Sequence, residues 1–379
     1  MTIRSSLILS TVAALVGTIG LFTPTVDAAP SASLDLLPRS MDGAAEGYTV
    51  SYSTTDEFGR PTIARGQIYL PFGTPPSGGW PVVSWAKGTV GIGDSCAMST
   101  ALDSGTADDP LAVDLSKPLL TQLLRSGAAV VSTDYIGLGT SDNHHYLNSI
   151  SAANAVTDIV SAAAAKIPEL SRTWVAAGHS QGGAAALTTG SRKDVYGAPT
   201  DFRGVVALAP SSYLESIVTL LSPTTPRIAP LDNITATLIY VLHGIRDSRP
   251  DIDVDSYLSE QGRNYLAQAE NLCISELRQK VVDVAPQQLL SRSLSDPAMA
   301  SALRTYLAVP TDGYSRPVFL TQGLADTVVP PASTTALAAE MSVRGVNDVT
   351  YLPVPSATHY DVVAVTAANT RSQILGMLR

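Results

Sequence analysis

The sequence is poor in charge, aromatic rings and cysteine, and each shortage excludes something. Of its 379 residues only 15% are charged and 6% aromatic, against 45% apolar, with a mean hydropathy of +0.17. That balance is the reverse of an intrinsically disordered chain. There is no G-x-y period and no long heptad run, so collagen-like and coiled-coil architectures are out. No window carries a basic stripe, and the net charge is −9, so a nucleic-acid binder is excluded. No C-x-x-C or H-x-x-x-H spacing points to zinc, and the residues call for no metal or cofactor. Beyond the first residues no apolar run is longer than a strand, too short for a transmembrane helix. What the chain does have is length enough for a large core.

The N-terminus reads as an export signal. Arg4 gives a short positive region, Leu7 to Phe22 is apolar apart from Ser, Thr and Gly, and Val26-Asp27-Ala28 places small residues at −3 and −1. Cleavage is expected after Ala28, the alternative being a membrane anchor. Export agrees with the two cysteines. Cys96 and Cys273, a lone pair in an oxidising compartment, are expected to bridge, the alternative being two buried thiols. The loop they would close is long, and closing it constrains the unfolded chain by several kcal/mol, about 4–5.

After a loosely held segment at 29–46, the stretches 48–53 and 64–70 alternate and read as an antiparallel hairpin. Short apolar runs at 80–86, 128–133, 173–177 and 204–209 read as buried strands. They are separated by helical patterns at 115–126, 150–167 and 181–191. Continuous apolar strands alternating with helices indicate an α/β fold: a doubly wound, mostly parallel sheet covered on both faces. The rhythm stops after Pro210 and resumes with strand 316–321, helix 332–343, strand 349–354 and helix 361–378. The 105 residues 211–315 between are far too many for a connection and read as an inserted helical cap, with 256–282 its longest helical stretch. The expected organisation is therefore a signal peptide at 1–28, a sheet core at 29–210 and 316–379, and a cap at 211–315.

Gly178-His179-Ser180-Gln181-Gly182 is a G-x-S-x-G pentapeptide. Alone it is weak, but it falls between a strand and a helix, where a strained turn would hold Ser180 Oγ at the carboxyl edge of the sheet. The helix N-terminus behind it favours negative charge on a substrate oxygen. A nucleophilic serine needs a base, and the base an orienting carboxylate. Of the five histidines, His179 adjoins the serine and should point away; His144 and His145 precede it; His243 is inside the insertion. With the order Ser, acid, His of such sheets, His359 is the base. Asp326, the one carboxylate of the loop 323–330, is the acid. A turn-capping role for Asp326 and a surface role for His359 are the alternatives. The oxyanion requires two backbone donors: Gln181 for one, and Gly88 or Thr89, in the loop after strand 80–86, for the other.

These residues resemble a known family, the secretory lipases of the α/β-hydrolase superfamily (the Candida antarctica lipase A-like and actinobacterial exported lipases). The resemblance rests on Ser84-Trp-Ala-Lys-Gly-Thr89 with Asp94-Ser-Cys96, on Asp134-Tyr-Ile-Gly-Leu-Gly-Thr140, on 177–183, and on Gly323-Leu-Ala-Asp326 with Val329-Pro330. It covers most of the chain in order, and the block 134–140 is more specific than the pentapeptide. It implies an α/β-hydrolase fold, the triad Ser180–Asp326–His359, a cap over an acyl site, and a Cys96–Cys273 bridge tying the oxyanion-side loop to that cap. Lys87 departs from it, since His is expected there. The function implied is a secreted serine carboxylic-ester hydrolase, most nearly a lipase. A peptidase or acyltransferase on the same scaffold and a non-catalytic binding protein are the alternatives. The expected partner is an acyl ester or lipid met by a monomer, with contact at a lipid interface left open. Within the cap, Leu238 and Leu242 are candidate acyl-pocket residues.

Overall fold

The computed structural model describes residues 32–38, 40–104, 115–196, 201–227 and 234–379. The expected leader and its cleavage site lie outside them. Nine strands form one sheet: β1 (Ala32–Leu36), β2 (Ala44–Thr55), β3 (Pro61–Pro71), β4 (Trp80–Ala86), β5 (Ala129–Ile136), β6 (Leu170–His179), β7 (Asp201–Leu208), β8 (Val318–Gly323) and β9 (Val349–Val354). Their order across the sheet is β1-β2-β3-β5-β4-β6-β7-β8-β9. The first three are antiparallel to their neighbours; from β5 onward every pairing is parallel. This is the α/β-hydrolase arrangement. Central strands such as β5 are buried at every position, as parallel strands covered on both faces must be.

The hairpin is longer than its alternating cores indicate, and a further strand, β1, occupies the segment expected to be loose. As an edge strand it buries little side chain and is held by its ladder with β2, from Ala32↔Tyr52 to Leu36↔Tyr48. Backbone pairing carries no apolar signature, which is why the sequence pattern misses it.

Helices cover both faces. On one lie α3 (Ser149–Lys166), α4 (Gln181–Ser191) and α11 (Pro331–Val343). On the other lie α2 (Lys117–Arg125), α12 (Val362–Val365) and α13 (Ala367–Met377). Helix 361–378 is thus two helices, broken at Thr366. The short α1 (Met98–Ser104) follows the loop after β4.

Between β7 and β8 the chain leaves the sheet. There α5 (Leu214–Val218), α6 (Ile234–Ser248), α7 (Glu260–Ala269), α8 (Ile274–Lys280), α9 (Pro286–Leu289) and α10 (Pro297–Leu307) build a second core of their own. Helix α6 is buried nearly all round, so it is the axis of this layer rather than an amphipathic cover. Leu238 and Leu242 are fully buried in it and do not reach the cavity described below, which corrects the expectation that they line an acyl pocket. The single long helix expected at 256–282 is also corrected. It breaks between α7 and α8, where Cys273 is extended, pairs with Gly91 as a β-bridge and is disulfide-bonded to Cys96. Ile274 N–H donates to Val90 O at 2.9 Å in the same place. Helical backbone there would forfeit these contacts between the layers.

Candidate active site

Ser180 caps α4 with φ +56°, a conformation that costs a non-glycine residue about 1–3 kcal/mol. The surroundings impose it. Ser180 N–H donates to Leu208 O at 2.9 Å, and its carbonyl accepts from Ala184 N–H at 3.1 Å and Ser211 N–H at 3.2 Å. The flanking glycines are required by contact. A Cβ on Gly182 would lie 1.8 Å from Ala86 O, and one on Gly178 2.4 Å from Gly182 O.

The turn delivers Ser180 Oγ to within 2.9 Å of His359 Nε2. His359 sits in the loop after β9, and its Nδ1 donates to Asp326 Oδ2 at 2.7 Å. Asp326, in the loop after β8, is fixed in turn. Val328 and Val329 N–H donate to Oδ1 at 2.7 and 2.8 Å, and Gln322 Nε2 to Oδ2 at 2.8 Å. Behind Gln322, Thr334 Oγ1 donates to Oε1 at 2.7 Å. Burial pushes the Asp326 carboxyl up, but the hydrogen bond and charge of His359 and the two backbone N–H groups outweigh it and hold the carboxyl below its usual range. Gln322 and Thr334 were not found from the sequence, and no motif spacing marks them.

His179 points away from Ser180 Oγ. Its Nε2 donates to His359 O at 2.8 Å. Burial and the neighbouring His359 push its pKa down to about 3, so it is a neutral strut. His144 is likewise neutral: burial takes it to about 4, its Nδ1 donates to Ile136 O at 2.7 Å, and its Nε2 lies 3.3 Å from the Gln181 amide nitrogen. His145 and His243 pair elsewhere, with Asp247 at 3.0 Å and Glu270 at 3.3 Å. Among the described residues no group of three His, Cys, Asp or Glu is placed to hold a metal.

On the other side of Ser180 lies the loop 87–91. Gly88 faces the Ser180 turn, since a Cβ there would be 3.8 Å from Ser180 Cβ. Thr89 Oγ1 shares a hydrogen bond with Tyr146 Oη at 2.8 Å. Lys87, the departure from the family pattern, turns inward. Its ammonium pairs with buried Asp134, which also accepts from Gln67 Nε2 at 3.0 and 3.1 Å and from Ser99 N–H at 3.1 Å. Burial pushes the Asp134 carboxyl up, but the charge of Lys87 outweighs this and holds it low. Tyr135 Oη closes the arrangement by donating to Lys87 O at 2.7 Å. The loop is therefore anchored from behind by a satisfied ion pair.

Ser180 and His359 open into a cavity of about 490 Å³ between the sheet edge and the helical layer. From the sheet side come Met98, Leu115, Leu147 and Val329; from the helical layer Leu214, Ile217, Ile234 and Ile274. Among the described residues that line it none is Asp or Glu; its cations are Lys87 and Arg278.

A family model described as serine aminopeptidase, S33, a hydrolase family, matches residues 113–359, which is most of the chain and includes all three residues above. The chain belongs to this family. Its fold is shared with two solved structures. Candida antarctica lipase A is 17% identical, with a TM-score of 0.73 over 90% of this chain and 81% of that one. The rice cell wall degrading esterase LipA from Xanthomonas oryzae is 20% identical, with a TM-score of 0.70 over 92% and 98%. At such identities the likeness is one of fold. No protein of curated function matches the sequence.

Proposed function

We propose that the protein is an exported serine carboxylic-ester hydrolase of lipase type. The observation that carries this reading is the line Asp326–His359–Ser180 opening into a mostly apolar cavity whose described lining holds no carboxylate. Ser180 Oγ adds to the ester carbonyl carbon while its proton passes to His359 Nε2. Collapse breaks the carbon–oxygen bond, and the leaving alcohol takes that proton. Water then repeats both steps through His359 and releases the acid, so ester and water become acid and alcohol. Asp326 holds the ring and the imidazolium it becomes. Gln181 N–H and the N–H of Gly88 or Thr89 are the oxyanion donors. The apolar walls receive an acyl chain, worth about 25 cal/mol per Å² of apolar surface buried.

The family's name raises a second reading, a peptidase that grips a free amino group. Such a grip needs a carboxylate, and the cavity's described lining offers the Arg278 guanidinium instead. Export is supported by the leader pattern and by the disulfide.

The test is a fluorophosphonate probe together with a p-nitrophenyl ester series from C2 to C16. Wild type should be labelled and turn over esters, and Ser180→Ala should do neither while keeping its fold. Near wild-type ester hydrolysis by folded Ser180→Ala, or faster cleavage of aminoacyl amides than of esters by wild type, would overturn the reading.

A further inference from the structure

Arg278 is the unexplained group in the cavity. It lies on α8, one turn from Ile274, and both line the space above the sheet edge. The helix begins beside Cys273, whose disulfide ties it to the oxyanion-side loop, so the place of Arg278 over the site is set covalently. Its Nη1 donates to Tyr360 Oη at 2.6 Å, and its guanidinium carbon stands 5.7 Å from the Tyr360 ring centre. That ring meets His359 edge-on at 5.4 Å. Tyr146, the hydroxyl partner of Thr89, lines the same cavity. The guanidinium thus stands, through Tyr360, on the His359 side of the cavity.

The other cation of the lining, Lys87, is matched by Asp134. Arg278 has no such match among the described residues. Among the described residues no carboxylate forms an ion pair with it, and its Nε is buried with no acceptor. A fork of N–H groups in a mostly apolar wall suits a planar or tetrahedral anion. The same charge repels an ammonium group.

We propose that Arg278 makes this site selective for anionic esters, those that carry a carboxylate or phosphate close to the scissile carbonyl. The proposal rests on the ester-hydrolase reading above. The anion can belong to the acyl part, as in a half-ester of a dicarboxylic acid, or to the alcohol part, as in an acylated phosphoalcohol. Arg278 would receive either one while Ser180 attacks the ester carbonyl.

The experiment compares charged and neutral isosteres by pH-stat titration. On the acyl side the pair is monoethyl glutarate and ethyl 4-carbamoylbutanoate. On the alcohol side it is 2-butyryloxyethyl phosphate and its dimethyl ester. Wild type should favour the anion in at least one pair by about tenfold or more in kcat/KM, and which pair shows it assigns the side. Arg278→Gln should bring that ratio close to one, and Arg278→Lys should keep part of it. Hydrolysis by wild type without charge preference in either pair overturns the proposal and leaves the ester reading intact. A preference that survives in Arg278→Gln also overturns it. No hydrolysis of any ester and no fluorophosphonate labelling overturn both. The wild-type ratio is informative even if a variant fails to fold.

Discussion

His359 and His145 are both buried beside carboxylates, and the difference between them lies at the second ring nitrogen. His359 gives Nδ1 to Asp326 and turns Nε2 to a hydroxyl. His145 meets Asp247 at 3.0 Å with Nε2 and approaches Glu57 at 3.5 Å with Nδ1. Burial opposes its charge, but Asp247 and Glu57 together raise it to about 9, so it stays protonated at neutral pH. Glu57 belongs to the β2–β3 turn and Asp247 to α6, so the charged ring joins the sheet to the helical layer. On the function proposed above, the same residue types make a proton carrier in one place and a staple in the other.

Exchanging one substitution between the two sites gives the largest expected contrast. Asp326→Asn should lower kcat by about 10³–10⁴-fold, because the ring loses its orienting charge and tautomer. Asp247→Asn should leave ester turnover within about twofold. Steady-state kinetics on a p-nitrophenyl ester decides. Comparable losses from both would break the distinction.

The staple has a covalent counterpart. Cys96 and Cys273 are 177 residues apart and bridged, so replacing both with alanine should cost about 5 kcal/mol by loop-closure entropy. Denaturant unfolding reads this directly. A loss below about 1 kcal/mol would mean that α8 is held by its other contacts and that the bridge is incidental.

Much of this was legible in residues. Parallel strands buried on both faces must be continuous and apolar, which gave the sheet, and the order of Ser180, Asp326 and His359 follows from where loops emerge on one sheet edge. The structure brings those three together at hydrogen-bond distances. What escaped is set by contacts between distant residues. Lys87 pairs with Asp134 47 positions on, Arg278 meets Tyr360 82 positions on, and Cys273 interrupts a helical pattern because Gly91 and Cys96 hold it. Leu238 and Leu242 failed as pocket residues for a related reason. An apolar side chain on α6 reads the same whether it faces a cavity or the layer's own core.

The staple also has a pH signature. His145 is raised from 6.5 to about 9 in the folded state, so its contribution is complete below about pH 6.5 and fades as pH climbs through 9. Asp247 is lowered to about 2, chiefly by its hydrogen bond to His145, so its share is complete above about pH 4 and fades only toward pH 2. Wild type should lose Tm between pH 7 and 10 more steeply than Asp247→Asn does. Parallel curves for the two proteins would remove His145 from the attachment.

The cavity walls separate the layers more finely. Ile217 and Ile274 are half-buried and face the cavity, while Leu238 is enclosed. Ile274→Ser should depress kcat/KM on a C12 ester several-fold more than on acetate. Leu238→Ala should instead cost about 2–5 kcal/mol of stability with little change in that ratio. The opposite assignment of the two effects would reverse the placement of the acyl chain.

The smallest effect tests how far the orientation of Asp326 extends. Thr334 is fully buried and reaches the carboxylate only through Gln322. Thr334→Val keeps the shape but strips Gln322 Oε1 of its donor, leaving a buried acceptor unmet at about 1–3 kcal/mol. The Gln322 amide is then held from its nitrogen alone, by Asp326, Gly323 O and Val329 O, while Val328 and Val329 N–H still fix Asp326 from its own loop. Tm should fall by a few degrees and kcat by less than tenfold, with Thr334→Ser restoring both because it returns the hydroxyl. A loss of kcat beyond a hundredfold in folded Thr334→Val would mean that the triad's geometry depends on this relay. Unchanged kcat with lowered Tm would mean that two backbone N–H groups hold the carboxylate unaided, and that Gln322 and Thr334 serve stability alone.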